Sequence, residues 1–206
     1  MNLIPKRSLI LILLIVADAL LIALGTAAWI IITLPQLPDD PNTLTAESGI
    51  NIYAASGELL YTVNQRVDRV GLEQMHPQFI QAVLATEDQD FYHHRGYNIK
   101  SIVGAFMANI RRWRKVRGGS TLTQQIVKNI FLSREKSYLR KLKEMLLATQ
   151  LETLFERHYG TDYKNRLLEL YINGSFYGAN AYSVADAAHT YFGKNATELT
   201  LLQSAI

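Results

Sequence analysis

Glu87 closes an apolar stretch and begins the run Glu87-Asp88-Gln89-Asp90-Phe91-Tyr92-His93-His94-Arg95-Gly96, which holds three carboxylates and two histidines. A carboxylate at the end of an apolar helix face is either a surface acid or a group that can take a proton. His93 and His94 with the acids could ligate a metal, but adjacent side chains seldom point the same way. A second cluster is Gly118-Gly119-Ser120-Thr121-Leu122-Thr123-Gln124-Gln125-Ile126-Val127-Lys128-Asn129. Thr121 and Gln124 have the T-x-x-Q spacing of a capping box, so a loop turns there into a helix. Free backbone N–H groups and hydroxyls at that positive end suit an anion, whereas the plainer reading is a well-capped helix with a flexible lead-in. Gln124, Gln125 and Lys128 follow at spacings that share a helix face. In the third cluster Arg140 and Glu144 stand at i, i+4 and Lys141 and Glu144 at i, i+3, which gathers two cations and a carboxylate. As surface pairs these would contribute only ~0.3–0.5 kcal/mol each.

The elements that must position these groups are legible in outline. The chain has 206 residues, 49% of them hydrophobic, and no cysteine, which excludes disulfides and thiolate chemistry. From Leu9 to Leu34 it is apolar apart from Asp18 and two threonines, long enough for a helix to cross a hydrocarbon core of ~30 Å. The run passes the small residues Gly25-Thr26-Ala27-Ala28 and continues through Trp29, which favours a retained anchor over a cleaved signal peptide. Lys6 and Arg7 precede it and no cation follows until Arg66, so the N-terminus is expected in the cytoplasm and the rest outside. Asp18 would then cost ~2.5–3.5 kcal/mol near mid-membrane unless it meets a partner.

The expected organisation is 1–34 for the cytoplasmic end and anchor, 35–48 for a proline-containing linker, and 49–206 for a single domain. Residues 50–63 read as a hairpin about Ser56-Gly57. Helices are expected from Pro77 and at about 98–113, 121–132, 136–158, 162–173, 181–191 and from 200 on. Between Phe91 and Arg134 there are nine Lys or Arg and no acid, five of them within Arg111–Arg117. Such a run is a solvated loop, a contact for anionic lipid headgroups, or a site for a phosphorylated ligand. A domain facing outward from a membrane rarely meets nucleic acid, and none is expected as a partner.

The clusters together resemble the peptidoglycan glycosyltransferases (glycosyltransferase family 51), the monofunctional transglycosylases and the N-terminal part of class A penicillin-binding proteins. The first matches E-D-x-x-F-x-x-H-x-G at every fixed position, and the second matches the G-G-S-T-x-T-Q-Q motif. Arg140 to Glu152 resembles R-K-x-x-E-x-x-x-A-x-x-L-E. Lys164-Asn165-Arg166-Leu167-Leu168-Glu169-Leu170-Tyr171-Ile172-Asn173 resembles K-x-x-I-L-E-x-Y-L-N. Ala181 to Gly193 resembles A-Y-G-I-x-x-A-A-x-x-Y-F-G, with Ser183 where glycine is usual.

The resemblance implies a mainly α, lysozyme-like domain behind a transmembrane helix, polymerising lipid II into β-1,4 glycan strands with release of undecaprenyl diphosphate. It implies Glu87 as the catalytic base, in an apolar cleft, and Glu144 as a second essential acid. Glu144 can orient neighbouring cations, hold a divalent cation (Mg or Mn) at the diphosphate, or assist departure. Ser120, Thr121, Gln124, Gln125, Lys128, Asn129, Arg140, Lys141, Arg117 and His94 are the implied substrate-binding set, and His94 with Gly96 shapes its loop. Glu169 and Asn173 are expected to organise structure. The implied partners are lipid II, the growing strand, membrane lipid and other cell-wall synthesis proteins, and the implied location is the bacterial plasma membrane. A lytic enzyme cutting the same polymer shares the fold and one essential Glu but needs no diphosphate clamp. A non-catalytic scaffold would have no use for Glu87 and Glu144. The chain stops at Ile206 inside a helix begun by Thr200-Leu201-Leu202-Gln203, so the domain is expected to be incomplete there, and the combined S-x-x-K, S-x-N and K-T-G set of a transpeptidase is not present.

Overall fold

The computed structural model describes residues 6–45, 49–54, 56, 58–64, 69–112, 118–133 and 137–205. Helix α1 (Lys6–Ile32) is followed by a short 3-10 turn and the antiparallel strands β1 (Gly49–Tyr53) and β2 (Leu59–Asn64). Ile50 pairs with Val63 and Ile52 with Tyr61, the register of the expected hairpin, with an irregularity between Ile52 and Tyr53. The remaining helices are α2 (Pro77–Glu87), α3 (Ile99–Arg112), α4 (Leu122–Phe131), α5 (Tyr138–Tyr159), α6 (Tyr163–Asn173), α7 (Val184–Phe192) and α8 (Leu201–Ser204). The architecture is mainly α, and these helices fall where the periodicity places them. Only α7 starts late, at Val184, because Ser183 caps it by accepting from the Asp186 N–H at 3.0 Å. Ser183 has φ −144°, so this backbone needs no glycine and the departure from the family pattern gains a helix cap.

The core forms where α4, α5 and α6 pack together. Leu122 and Val127 of α4, Leu147 and Leu151 of α5, and Leu167, Leu168 and Ile172 of α6 are completely buried, each contributing about 1.5–3 kcal/mol by leaving water. On α5 the buried positions run Glu144, Leu147, Ala148, Leu151, Glu152 and Phe155, a stripe at helical spacing with two acids inside it. The Glu152 carboxylate accepts from Lys164 Nζ at 2.9 Å through both oxygens and from the Thr123 hydroxyl at 2.7 Å. Lys164 also donates to the His94 carbonyl at 2.7 Å and lies 4.6 Å over the Phe91 ring. Burial holds the Lys164 pKa below the ordinary lysine value, opposed by Glu152. This buried pair pins α4, α5 and α6 to one another, and removing either partner would strand a charge.

Gly96 is held by φ +72° and by crowding, since a Cβ there would lie 2.7 Å from the Thr149 nitrogen. That contact lets the loop after Glu87 lie directly on α5.

Helix α1 contains one stretch, Ile10–Ile32, long and apolar enough to cross a membrane. Its side chains are exposed along that length apart from Ile30. The linker beyond it is not a free tether. Lys143 of α5 donates to the Thr33 carbonyl at 3.0 Å and stacks 5.1 Å from Trp29, a cation at the C-terminal end of α1. Leu34, Leu37 and Leu44 then pack on the core, and the Tyr159 hydroxyl donates to Asn42 at 2.7 Å. Residues 33–45 therefore form a strap running along α5 from Lys143 to Tyr159.

Helix α3 carries Ile99, Val103, Met107 and Ile110 on one exposed face, while Ala105 is buried on another. This spacing is that of an amphipathic helix whose apolar side faces away from the core.

Candidate active site

Helix α2 starts with Pro77 at its first position, under a cap in which His76 Nδ1 accepts from the Gln78 N–H. It ends at Glu87 because Asp88 leaves helical geometry, with φ −159° and ψ 79°. The two acids thereby separate. Glu87 stays exposed, whereas Asp88 turns inward and is buried. Asp88 accepts from His94 Nε2 at 2.9 and 3.0 Å and from the Leu122 N–H at 3.0 Å.

That last contact corrects the expectation of free N–H groups at the start of α4. The anion at this helix end is the chain's own Asp88. Thr121 is buried, accepts from the Gln124 N–H at 3.2 Å and donates to the Gly96 carbonyl at 2.6 Å. Gln124 Oε1 returns the contact by accepting from the Thr121 N–H, which completes the capping box. The protein fills the helix end itself because a buried N–H without a partner is costly.

The exposed part of this region is a cation cluster beside the cap. Lys141 Nζ donates to Ser120 Oγ at 2.8 Å, to Gln124 Oε1 at 3.1 Å and to Glu144 Oε2 at 2.6 Å. Arg140 Nη1 donates to the other oxygen of Glu144. Glu144 is 2% exposed, and among the described residues its charge is met by these two cations. Both oxygens accept from cations, the positions a divalent ion would have to take over. Among the described residues no group of three or more His, Asp or Glu side chains is arranged to hold one. Its contacts with Arg140 and Lys141 fit an orienting role.

Glu87 is held from α4. Gln125 Nε2 donates to Glu87 Oε2 at 2.8 Å, and Gln125 Oε1 accepts from the Tyr171 hydroxyl at 3.4 Å. Burial, and after it the Glu87 charge, pushes the Tyr171 pKa up to about 12. The apolar enclosure expected around Glu87 is not what surrounds it, because it is exposed and its partner is a polar amide. Consecutive glutamines on α4 thus serve the two acids separately, Gln125 holding Glu87 and Gln124 accepting from the Lys141 that holds Glu144.

The remaining residues from the sequence divide by depth. Thr121, Gln124 and Glu144 are buried. The His94 side chain is 8% exposed, with Nδ1 unpartnered among the described residues. Ser120, Gln125, Lys128, Arg140 and Lys141 are half-buried and Asn129 is exposed. Arg117 lies outside the described residues.

Asn129 and Tyr171 belong to the lining of a cavity of 580 Å³ between α4, α6 and residues 69–71. Its wall is set by α6, where Glu169 Oε1 accepts from the Leu72 N–H at 3.1 Å and Asn173 bonds both the N–H and the carbonyl of Val70. Glu169 and Asn173 organise this wall.

Sequence reasoning gave Asp88, Glu152, Lys164 and Tyr171 no role at the site. The available signals were a charge within an apolar stripe, as for Glu152, and an acid beside a better candidate, as for Asp88.

The family model described as Transglycosylase matches residues 56–206 of the chain. Among curated proteins the chain is 39% identical over 186 residues to penicillin-binding protein 1A of Aquifex aeolicus (strain VF5), covering 88% of this chain and 24% of that protein. It is 38% identical over 176 residues to penicillin-binding protein 1A of Escherichia coli (strain K12), covering 84% and 20%. To penicillin-binding protein 1F of Bacillus subtilis (strain 168) it is 36% identical over 204 residues, covering 98% and 27%. The chain spans about a quarter of the length of these curated relatives. With the family match lying over the elements that carry Glu87, the capped start of α4 and the Arg140–Lys141–Glu144 cluster, the chain belongs to the transglycosylase family.

Proposed function

We propose that this chain polymerises lipid II into β-1,4 glycan strands at the outer face of the bacterial plasma membrane, with Glu87 as base. Glu87 takes the proton from the 4-hydroxyl of the acceptor GlcNAc. That oxygen forms a bond to C1 of the MurNAc at the reducing end of the growing strand. The bond from C1 to the diphosphate breaks with its electron pair, and undecaprenyl diphosphate leaves with inversion. The proton rests on Glu87 until solvent removes it.

The observation that carries the reading is the division of labour on α4. An exposed carboxylate is aimed by Gln125, and cations held by a buried carboxylate stand beside Ser120 and Gln124. The first suits proton removal and the second suits the charge that develops on a departing diphosphate. Lys141, with Ser120 at 2.8 Å, and Arg140 are the groups assigned to that charge, with Lys128 on the same face of α4 one turn beyond Gln124.

The reading takes Ile10–Ile32, long and apolar enough to cross a bilayer, as the anchor. The Lys6 and Arg7 charges favour the inner side for its N-terminus, which puts the domain outside. The exposed stripe Ile99, Val103, Met107 and Ile110 supplies an apolar surface for the bilayer, from which a polyprenyl substrate is drawn.

The experiment is polymerisation of labelled lipid II in detergent by the 206-residue chain beside Glu87→Gln. Glycan strands from the wild type, and a loss of about 10²-fold or more in the variant, support the assignment. Release of muropeptides from pre-formed glycan would replace it with a lytic activity. Binding of glycan or membrane partners without turnover would make the domain a scaffold.

A further inference from the structure

We infer that Tyr171 is a positioning residue for Glu87, acting through Gln125. The inference rests on the reading of Glu87 as base and adds to it a reason why that exposed side chain holds one direction. An exposed glutamate has three rotatable side-chain torsions and no intrinsic preference for the direction in which a substrate hydroxyl arrives.

Gln125 removes that freedom only if its own amide is fixed, because an amide can turn over and present either end. Here both ends agree. A carboxylate can only accept, so the NH2 end must face Glu87, and the phenol donates to the carbonyl end. Tyr171 keeps its proton throughout the ordinary pH range, so it remains a donor.

The phenol is itself fixed. It stands near the end of α6, a helix tied to α5 by the buried Lys164–Glu152 pair and to residues 70–72 by Glu169 and Asn173. The Ser175 hydroxyl donates to the Tyr171 carbonyl at 2.6 Å and closes the turn behind it. A rigid helix therefore sets a phenol, the phenol sets an amide, and the amide sets the base. In this structure Gln125, which the family resemblance puts among substrate-binding residues, is engaged with Glu87.

The test has one arm that reads turnover and one that does not. In steady-state lipid II polymerisation by the full chain, Tyr171→Phe and Gln125→Ala should each lower kcat about tenfold and leave KM unchanged, as expected when a reacting group is mispositioned. The double variant should lose little more than either single, since both act on one chain of contacts. Lys141→Ala should lower kcat as well, since that cation meets charge developing on the diphosphate, but its loss should multiply with that of Tyr171→Phe because it lies outside this chain of contacts. Losses by Tyr171→Phe or Gln125→Ala that fall on KM, or that multiply in the double variant, would overturn the inference.

The second arm is the side-chain amide resonance of Gln125 in isotope-labelled protein. It should shift in Tyr171→Phe and in Glu87→Gln, whether or not the protein turns over. No shift in either variant would sink the relay. A shift in both without any polymerisation would leave the relay standing and remove the proposed function. If Tyr171→Phe fails to fold by far-ultraviolet circular dichroism, Tyr171→Met, which also lacks the hydroxyl and fills the same half-buried position, carries both arms with the same expected outcomes.

Discussion

Glu87 and Asp88 are neighbours in the chain and opposites in surroundings, and the backbone break between them decides which chemistry each can do. Asp88 is spent on the start of α4 and on His94, while Glu87 stays exposed. The phenols behind this region offer a test at the same scale. Tyr171 and Tyr177 both have folded pKa values raised by burial above the ordinary 10, to about 12 for Tyr171 and further for Tyr177. The folded state therefore keeps protons that the unfolded state has already lost. Their contribution to stability is whole below about pH 10 and disappears as the pH climbs through the folded values. Lys164, lowered by burial, acts with the opposite sign over the approach to its ordinary value of 10.5. The comparison to make is thus between wild type and Tyr177→Phe, which loses one raised phenol and the bond to the Ile172 carbonyl. Melting temperatures recorded from about pH 9 to 12 should fall in both proteins, and less steeply in the variant. Parallel slopes would contradict the burial of that hydroxyl.

At the scale of elements, α4 depends on contacts that tie its first turn to the loop after Glu87. Gly96→Ala should cost about 2–5 kcal/mol, combining a left-handed backbone with overpacking against α5. Thermal unfolding checks this, and a change under about 1 kcal/mol would mean that the loop does not lie on α5 as described. The helices, the hairpin and the capping box were legible because each rests on local spacing. Thr121 with Gln124, Pro77 at the start of α2, and the apolar stripe of α5 all declare themselves within a few residues. The site was legible only as a set of candidates. That Asp88 fills the start of α4, that Glu87 is exposed, and that Gln125 serves Glu87 all depend on how α2, α4 and α6 meet. No spacing within one helix carries that information. The Lys164–Glu152 pair was hidden for the same reason, since its members lie on different helices and meet only when both are buried.

For the whole molecule, the strap makes the apolar helix and the folded domain one object. Lys143 joins the end of α1, while Arg140, Lys141 and Glu144 stand within the same turn of α5 or beside it. The anchor contact and the cation cluster are therefore separated by no more than about one helical pitch of 5.4 Å along that axis. Proteolysis tests the strap. Cleavage within residues 34–45 should be slow in the wild type and rise roughly fivefold for each lost hydrogen bond of ~1 kcal/mol in Tyr159→Phe and Lys143→Ala. Equal rates in all three would describe a loose tether.

A docked strap also changes the geometry of encounter. A catalyst on slack chain samples a hemisphere of heights and tilts, and a lipid-borne substrate meets it in a useful pose only occasionally. Fixed at one stand-off and one tilt, the two partners search a plane by lateral diffusion. The effective concentration is then set by the surface density of the lipid and not by the volume around it. Cutting the strap while leaving the domain folded should thus slow capture of bilayer-borne substrate far more than capture of the same substrate dispersed in detergent.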